Sequence, residues 1–183
     1  RKWADVNQIN VGWHSVEEFL HILERQKLGV NFGTLVGHST IRRALIGEDF
    51  RDLTEGELKV FESIVATALK EGTLGMSTGL GYAHSQNVPY GEIKKLVAIV
   101  ARHDGVYTTH LRNEREDIEK SVKETISLAD ETGVRTVISH LRPLIGFEKK
   151  FGKALEYIES ISESLDLHFD SYPFDVSLVP IYT

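Results

Sequence analysis

The sequence contains no cysteine among its 183 residues. That excludes disulfides and thiolate ligands, so a metal held here must use imidazole, carboxylate or water. No apolar run approaches the ~18 residues needed to span a bilayer. The opening, Arg1-Lys2-Trp3-Ala4-Asp5, has neither an initiator methionine nor the apolar core of a secretory signal. A clustered basic face is missing too. The net charge of −6 argues against nucleic acid or an anionic membrane as partner. What remains, at 41% hydrophobic and 26% charged residues, is the composition of a soluble globular domain. It fits a cytoplasmic protein.

No Pro- or Ser-rich linker interrupts the chain, and short β-rich runs alternate with amphipathic helices. Capping boxes open two helices, at Ser15-x-x-Glu18 and Thr54-x-x-Glu57. Helical spacing continues through Ile93, Leu96, Val97 and Val100, then Ile118, Val122, Ile126 and Ala129, then Leu155, Ile158 and Ile161. Gly29, Gly72, Gly105 and Gly133 fall just past the first four, where a left-handed residue ends a helix. Between the helices, residues 30–36, 73–77, 106–109, 134–139 and 167–171 read as short apolar strands. Helices between such strands imply βαβ units in a parallel sheet.

Five such units fit either an open doubly wound sheet or part of a (β/α)8 barrel. The open sheet predicts a Gly-x-Gly-x-x-Gly turn after its first strand, and none occurs. Gly75-Met76-Ser77-Thr78-Gly79-Leu80-Gly81 is glycine-rich but lacks the lysine of a phosphate-binding loop. A complete barrel takes ~250 residues. The expectation is therefore a partial TIM-type barrel of about five strands, with residues 1–183 as a central piece of the domain.

An internal echo carries the chemistry. Thr109-His110-Leu111-Arg112 ends one strand and Ser139-His140-Leu141-Arg142 ends the next. Functional groups gather at the carboxyl ends of parallel strands, and neighbouring strands lie ~4.8 Å apart. Metal–imidazole bonds of ~2.0–2.1 Å would let one ion sit between His110 and His140. Thr108 shares a face with His110, and Ile138 with His140, so alternation sends both rings into the barrel mouth. A single histidine of this kind is more often a hydrogen-bonded core or surface residue; two at matched strand ends favour a metal. His38, in Gly37-His38-Ser39-Thr40, lines the site or fixes its loop. Arg112 and Arg142 are placed to clamp a substrate carboxylate, or to pair with an acid such as Glu114. Asp170 could hydrogen-bond a ligand imidazole from behind or pin the following turn. Tyr172 could donate to an oxyanion or a substrate carboxylate.

The stretches Gly37-His38-Ser39-Thr40-Ile41-Arg42, Gly75 to Leu80, Thr109-His110-Leu111-Arg112-Asn113-Glu114, Ile138-Ser139-His140-Leu141 and Asp170-Ser171-Tyr172-Pro173-Phe174 resemble successive motifs of the N-acyl-D-amino-acid deacylases (D-aminoacylases) of the amidohydrolase superfamily. Order and spacing match from about Leu28 onward. The resemblance implies a distorted (β/α)8 barrel of which the chain covers about strands three to seven. It makes His110 and His140 the zinc ligands of strands five and six, in an enzyme that hydrolyses N-acyl-D-amino acids. It also implies that an His-x-His pair, a bridging ligand and a catalytic aspartate lie outside this sequence, so the chain alone is expected to be inactive and to self-associate. Arg142 stands where the family often has lysine, and the loop from Tyr82 to Val88 departs from the family's Pro/Gly-rich form. Two other readings are a barrel hydrolase of cyclic amides (hydantoinase- or dihydropyrimidinase-like) and a non-catalytic, self-associating βα scaffold.

Overall fold

The computed structural model describes residues 12–161, 165–171, 174 and 176. Its sheet has five parallel strands: β1 (Val36–Gly37), β2 (Gly75–Gly79), β3 (Val106–His110), β4 (Arg135–Ile138) and β5 (Leu167–Phe169). Their spatial order is their order in sequence. A doubly wound sheet reverses direction at a switch point, whereas a barrel adds each strand beside the last. The winding is that of a barrel wall.

Among the described residues, six helices accompany the strands: α1 (Val16–Glu24), α2 (His38–Ile46), α3 (Glu55–Lys70), α4 (Tyr90–Arg102), α5 (Ile118–Thr132) and α6 (Glu148–Glu159). Both N-terminal caps start helices as read, but only the second closes as a full capping box; at the first, the Glu18 carboxylate accepts from the His14 amide. Ser15 accepts from the Glu18 amide, and Thr54 and Glu57 cap each other reciprocally. Gly133 ends α5 in the left-handed region at φ 68°. After α4 that conformation falls on Asp104 (φ 54°) and not on Gly105. Gly105 is needed for closeness instead: a Cβ there would lie 2.9 Å from Val100 and 3.3 Å from the Leu74 carbonyl.

Two differences from the sequence reading stand out. Helix α2 leaves β1 directly through Gly37, with no side-chain cap, and its buried residues are the polar His38 and Arg42. No side-chain cap announced it, and its apolar Ile41 and Leu45 are only partly buried against the core. Strand β1 is only two residues long, and Val30 and Phe32 from the expected strand are exposed.

The core divides in two. Phe61, Val65, Met76, Leu96, Val97, Val100 and Tyr107 fuse α3 and α4 to β2 and β3. Leu111, Ile118, Val122, Ile138, Leu141 and Ala154 fuse α5 and α6 to β4. Each fully buried large apolar side chain stabilises the fold by roughly 1.5–3 kcal/mol. Gly75 lets β2 and β3 approach: a Cβ there would sit 1.8 Å from the Val106 carbonyl oxygen. No helix among the described residues is long and apolar enough to cross a membrane.

Candidate metal centre

His110 is the last residue of β3, and His140 lies two residues beyond the end of β4. Their rings meet, with His110 Nδ1 2.9 Å from His140 Nε2 and ring centroids 4.6 Å apart. Simple alternation does not explain this. Thr109 pairs with Ile138, so the strand-parity partner of His110 is Ser139, and a straight continuation would turn the two rings to opposite faces. The chain breaks the alternation at His140 itself, whose φ is 42°. A non-glycine residue in that region costs on the order of 1–3 kcal/mol and persists only when its neighbours hold it.

Asp170 and Arg142 supply that hold. The Asp170 carboxylate accepts the His140 backbone N–H, and its carbonyl accepts from Leu141 at 2.8 Å. Arg142 Nη1 donates to the His140 carbonyl at 3.2 Å. Asp170 therefore acts on the His140 backbone and not, as expected, on its imidazole.

The acid at the imidazole is Glu114, whose place in the sequence suggested only a partner for an arginine. Its Oε1 lies 3.1 Å from His140 Nδ1. Asn113 shapes the loop that carries it: its side-chain oxygen accepts from the amides of Arg115 (2.8 Å) and Asp117 (3.2 Å). Among the described residues, His110, Glu114 and His140 form the one group of three whose ligand atoms lie within 4.8 Å of one another. Tetrahedral zinc with ~2.0–2.1 Å bonds holds its nitrogens roughly 3.3–3.4 Å apart. The imidazole pair needs to open by only a few tenths of an ångström to fit.

The electrostatics suit a cation. Burial pushes the His110 pKa below its ordinary value, opposed by Glu114 and aided by His140 and Arg142, which favours the neutral ring. The hydrogen bond to Glu114 raises His140, against the effect of burial. Burial alone would raise Glu114, but its bond to His140 and the nearby charges of His110, His140 and Arg142 outweigh that and lower it.

The loop after β2 forms the other wall. Tyr82 stacks on His110 at 4.9 Å and 18°. Gly81 lies so close that a Cβ would fall 2.5 Å from His110 Nε2. The glycine-rich stretch thus seats a histidine. Neither contact could be read from spacing, because both depend on the path of the loop.

Arg112 and His38 are both engaged by partners within the chain. The Arg112 guanidinium binds Glu124 (2.8 and 3.0 Å) and the carbonyls of Gln86 and Ser85, fastening the loop to α5. His38 is wholly buried, packed on Phe61 and bonded to Glu92 at 2.9 Å. Glu92 also receives Arg42 Nε at 3.1 Å. Of the alternatives the sequence left open, Arg112 makes the pairing with an acid and His38 the fixing hydrogen bond. Tyr172 lies outside the described residues.

Comparison with known proteins adds to this geometry. No family model matches the chain. A D-aminoacylase from Alcaligenes xylosoxydans xylosoxydans is 31% identical over 160 residues, covering 86% of this chain and 33% of that protein. A crystal structure of a D-aminoacylase variant in complex with copper chloride superposes with a TM-score of 0.82 at 31% identity, over 87% of this chain and 34% of the other. The chain is a homologue of the D-aminoacylases. An N-acyl-D-glutamate deacylase from Bordetella bronchiseptica, complexed with zinc and a phosphonate inhibitor, matches this D-aminoacylase homologue at 26% identity and a TM-score of 0.76, over 87% of this chain and 34% of the other. The L-hydantoinase of Arthrobacter aurescens reaches 15% identity and a TM-score of 0.53 over 87% of this chain and 36% of the other, a likeness of fold alone. The chain spans about a third of the length of the relatives it matches.

Proposed function

We propose that this chain supplies strands three to seven of an amidohydrolase barrel that cleaves the linear amide of N-acyl-D-amino acids, with zinc held by His110 and His140. The observation that carries the proposal is the 2.9 Å approach of His110 Nδ1 to His140 Nε2, at the carboxyl ends of two adjacent strands. His110 and His140 would hold the zinc, which would supply an activated water near pH ~7 and Lewis-acid polarisation of a scissile carbonyl.

The chain's own residues do the rest of what it can do. His110 and His140 present the two ligand nitrogens, Glu114 balances charge, and Asp170 keeps His140 turned inward. Tyr82 covers one face of His110 and shields it from solvent. Arg142, beside His140, is the cation we assign to the substrate carboxylate, with Tyr172 as an oxyanion or carboxylate donor. Two imidazoles fall short of the three protein ligands usual for catalytic zinc, and we assign the general base to a residue outside this sequence. The isolated chain is accordingly expected to show negligible turnover.

The test grafts residues 28–176 in place of the aligned third of a D-aminoacylase, with folding and zinc content verified first. Zinc-dependent hydrolysis of N-acetyl-D-amino acids, lost on His110→Ala, supports the reading. A folded, zinc-loaded graft that opens hydantoins or dihydropyrimidines and leaves N-acetyl-D-amino acids intact would replace it with the cyclic-amide reading.

A further inference from the structure

A neutral imidazole has one protonated nitrogen and one lone pair, and a metal ligand must direct the lone pair at the metal. At His140 the two nitrogens face different neighbours. Nε2 points at His110, 2.9 Å away, and Nδ1 points at Glu114 Oε1, 3.1 Å away. A carboxylate only accepts, so the bond to Glu114 requires the proton on Nδ1. That leaves the Nε2 lone pair aimed at His110.

A rival stands at the same nitrogen. Arg142 Nη1 lies 3.5 Å from His140 Nδ1, and a guanidinium only donates, so that contact requires the opposite tautomer. Distance decides between them. The Arg142 contact is at the outer limit of a hydrogen bond, and the same Nη1 has the His140 carbonyl nearer, at 3.2 Å. The Glu114 contact is shorter and charge-assisted.

We propose that Glu114 is a positioning residue: its carboxylate fixes His140 as the Nδ1–H tautomer, so that Nε2 is preset toward the metal, and it is not itself a ligand. The inference rests on the reading of His110 and His140 as the metal imidazoles. It has a consequence for their order of change. Without metal, the His140 Nε2 lone pair accepts a hydrogen bond from His110 Nδ1–H. On metal binding His110 must move that proton to its other nitrogen, while His140 keeps its tautomer.

The experiment uses the whole 183-residue chain, its Glu114→Ala and Glu114→Gln variants, and zinc sulfate as the probe. Nitrogen-15 spectra of the imidazoles report tautomers with and without zinc, and calorimetry reports affinity. Wild-type His140 is expected as Nδ1–H in both states, with only His110 switching on zinc addition. Glu114→Ala should lose the Nδ1–H preference and bind zinc roughly 10–100-fold more weakly, the usual effect of removing a carboxylate behind a ligand histidine. Glu114→Gln keeps an oxygen that can accept the same proton, so it should retain the tautomer and stay within about threefold of wild type in affinity. A neutral His140 protonated on Nε2 in zinc-free wild type, at a pH above its titration, overturns the proposal. So does equal loss of zinc in both variants with the tautomer unchanged, which is the behaviour of a direct ligand. If the wild-type chain binds no zinc, the metal reading fails on its own, and the tautomers of the zinc-free variants still decide what Glu114 does.

Discussion

At the scale of single residues, the centre depends on where two backbones go. His140 reaches His110 because it adopts a positive φ, and that turn is held through Asp170. His110 stays where it is because Gly81 has no side chain. Gly81→Ala is therefore expected to displace the ring, cost about 1–3 kcal/mol of stability by overpacking and weaken zinc binding. Urea midpoints and calorimetry check both effects; an alanine variant with wild-type stability and zinc affinity would show that the close approach does not matter. The histidines themselves were legible in the sequence, because the repeated Thr/Ser-His-Leu-Arg marks equivalent strand ends. Their geometry was not. Alternation from Ile138 to His140 assumed an unbroken strand, and only the structure reveals the turn. Glu114 and Tyr82 escaped for a related reason: a loop residue's direction depends on local bonds such as those of Asn113, which leave no periodic trace.

At the scale of elements, legibility followed caps and stripes. Helices α3, α4 and α5 pair a recognisable apolar stripe with buried packing, and the sequence located all three. Helix α2 was missed because it is anchored by polar atoms. Glu92, from α4, receives both His38 and Arg42 from α2 with little exposure on any of the three. Removing the acid would strand two buried basic groups. Glu92→Ala is expected to destabilise the chain by about 3–5 kcal/mol, the usual cost of breaking a buried pair from one side. Glu92→Gln, which keeps an acceptor, should cost less. Equal and small losses in denaturant titration would show that α2 is held by its apolar contacts alone.

At the scale of the whole molecule, the barrel wall has two open margins. Strands β1 and β5 each pair on one side only among the described residues, and Leu28, Val30, Phe32, Leu74 and Phe169 are all exposed. Unpaired strand edges beside apolar surface favour association. The 183-residue chain is accordingly expected to sediment as a dimer or larger species at micromolar concentration; a clean monomer across that range would contradict this. The sequential strand order supports the barrel reading drawn from the spacing of the βα units. Placement of those strands as the third to seventh belongs with the proposed function.

The central claim is that His110 and His140 form one metal site. Calorimetric titration of zinc into the chain, its His110→Ala variant and its His140→Ala variant tests this directly. One zinc per chain in the parent and loss of binding in both variants is the predicted result. Binding that survives either substitution unchanged would contradict the account, because the two imidazoles could not then be sharing an ion.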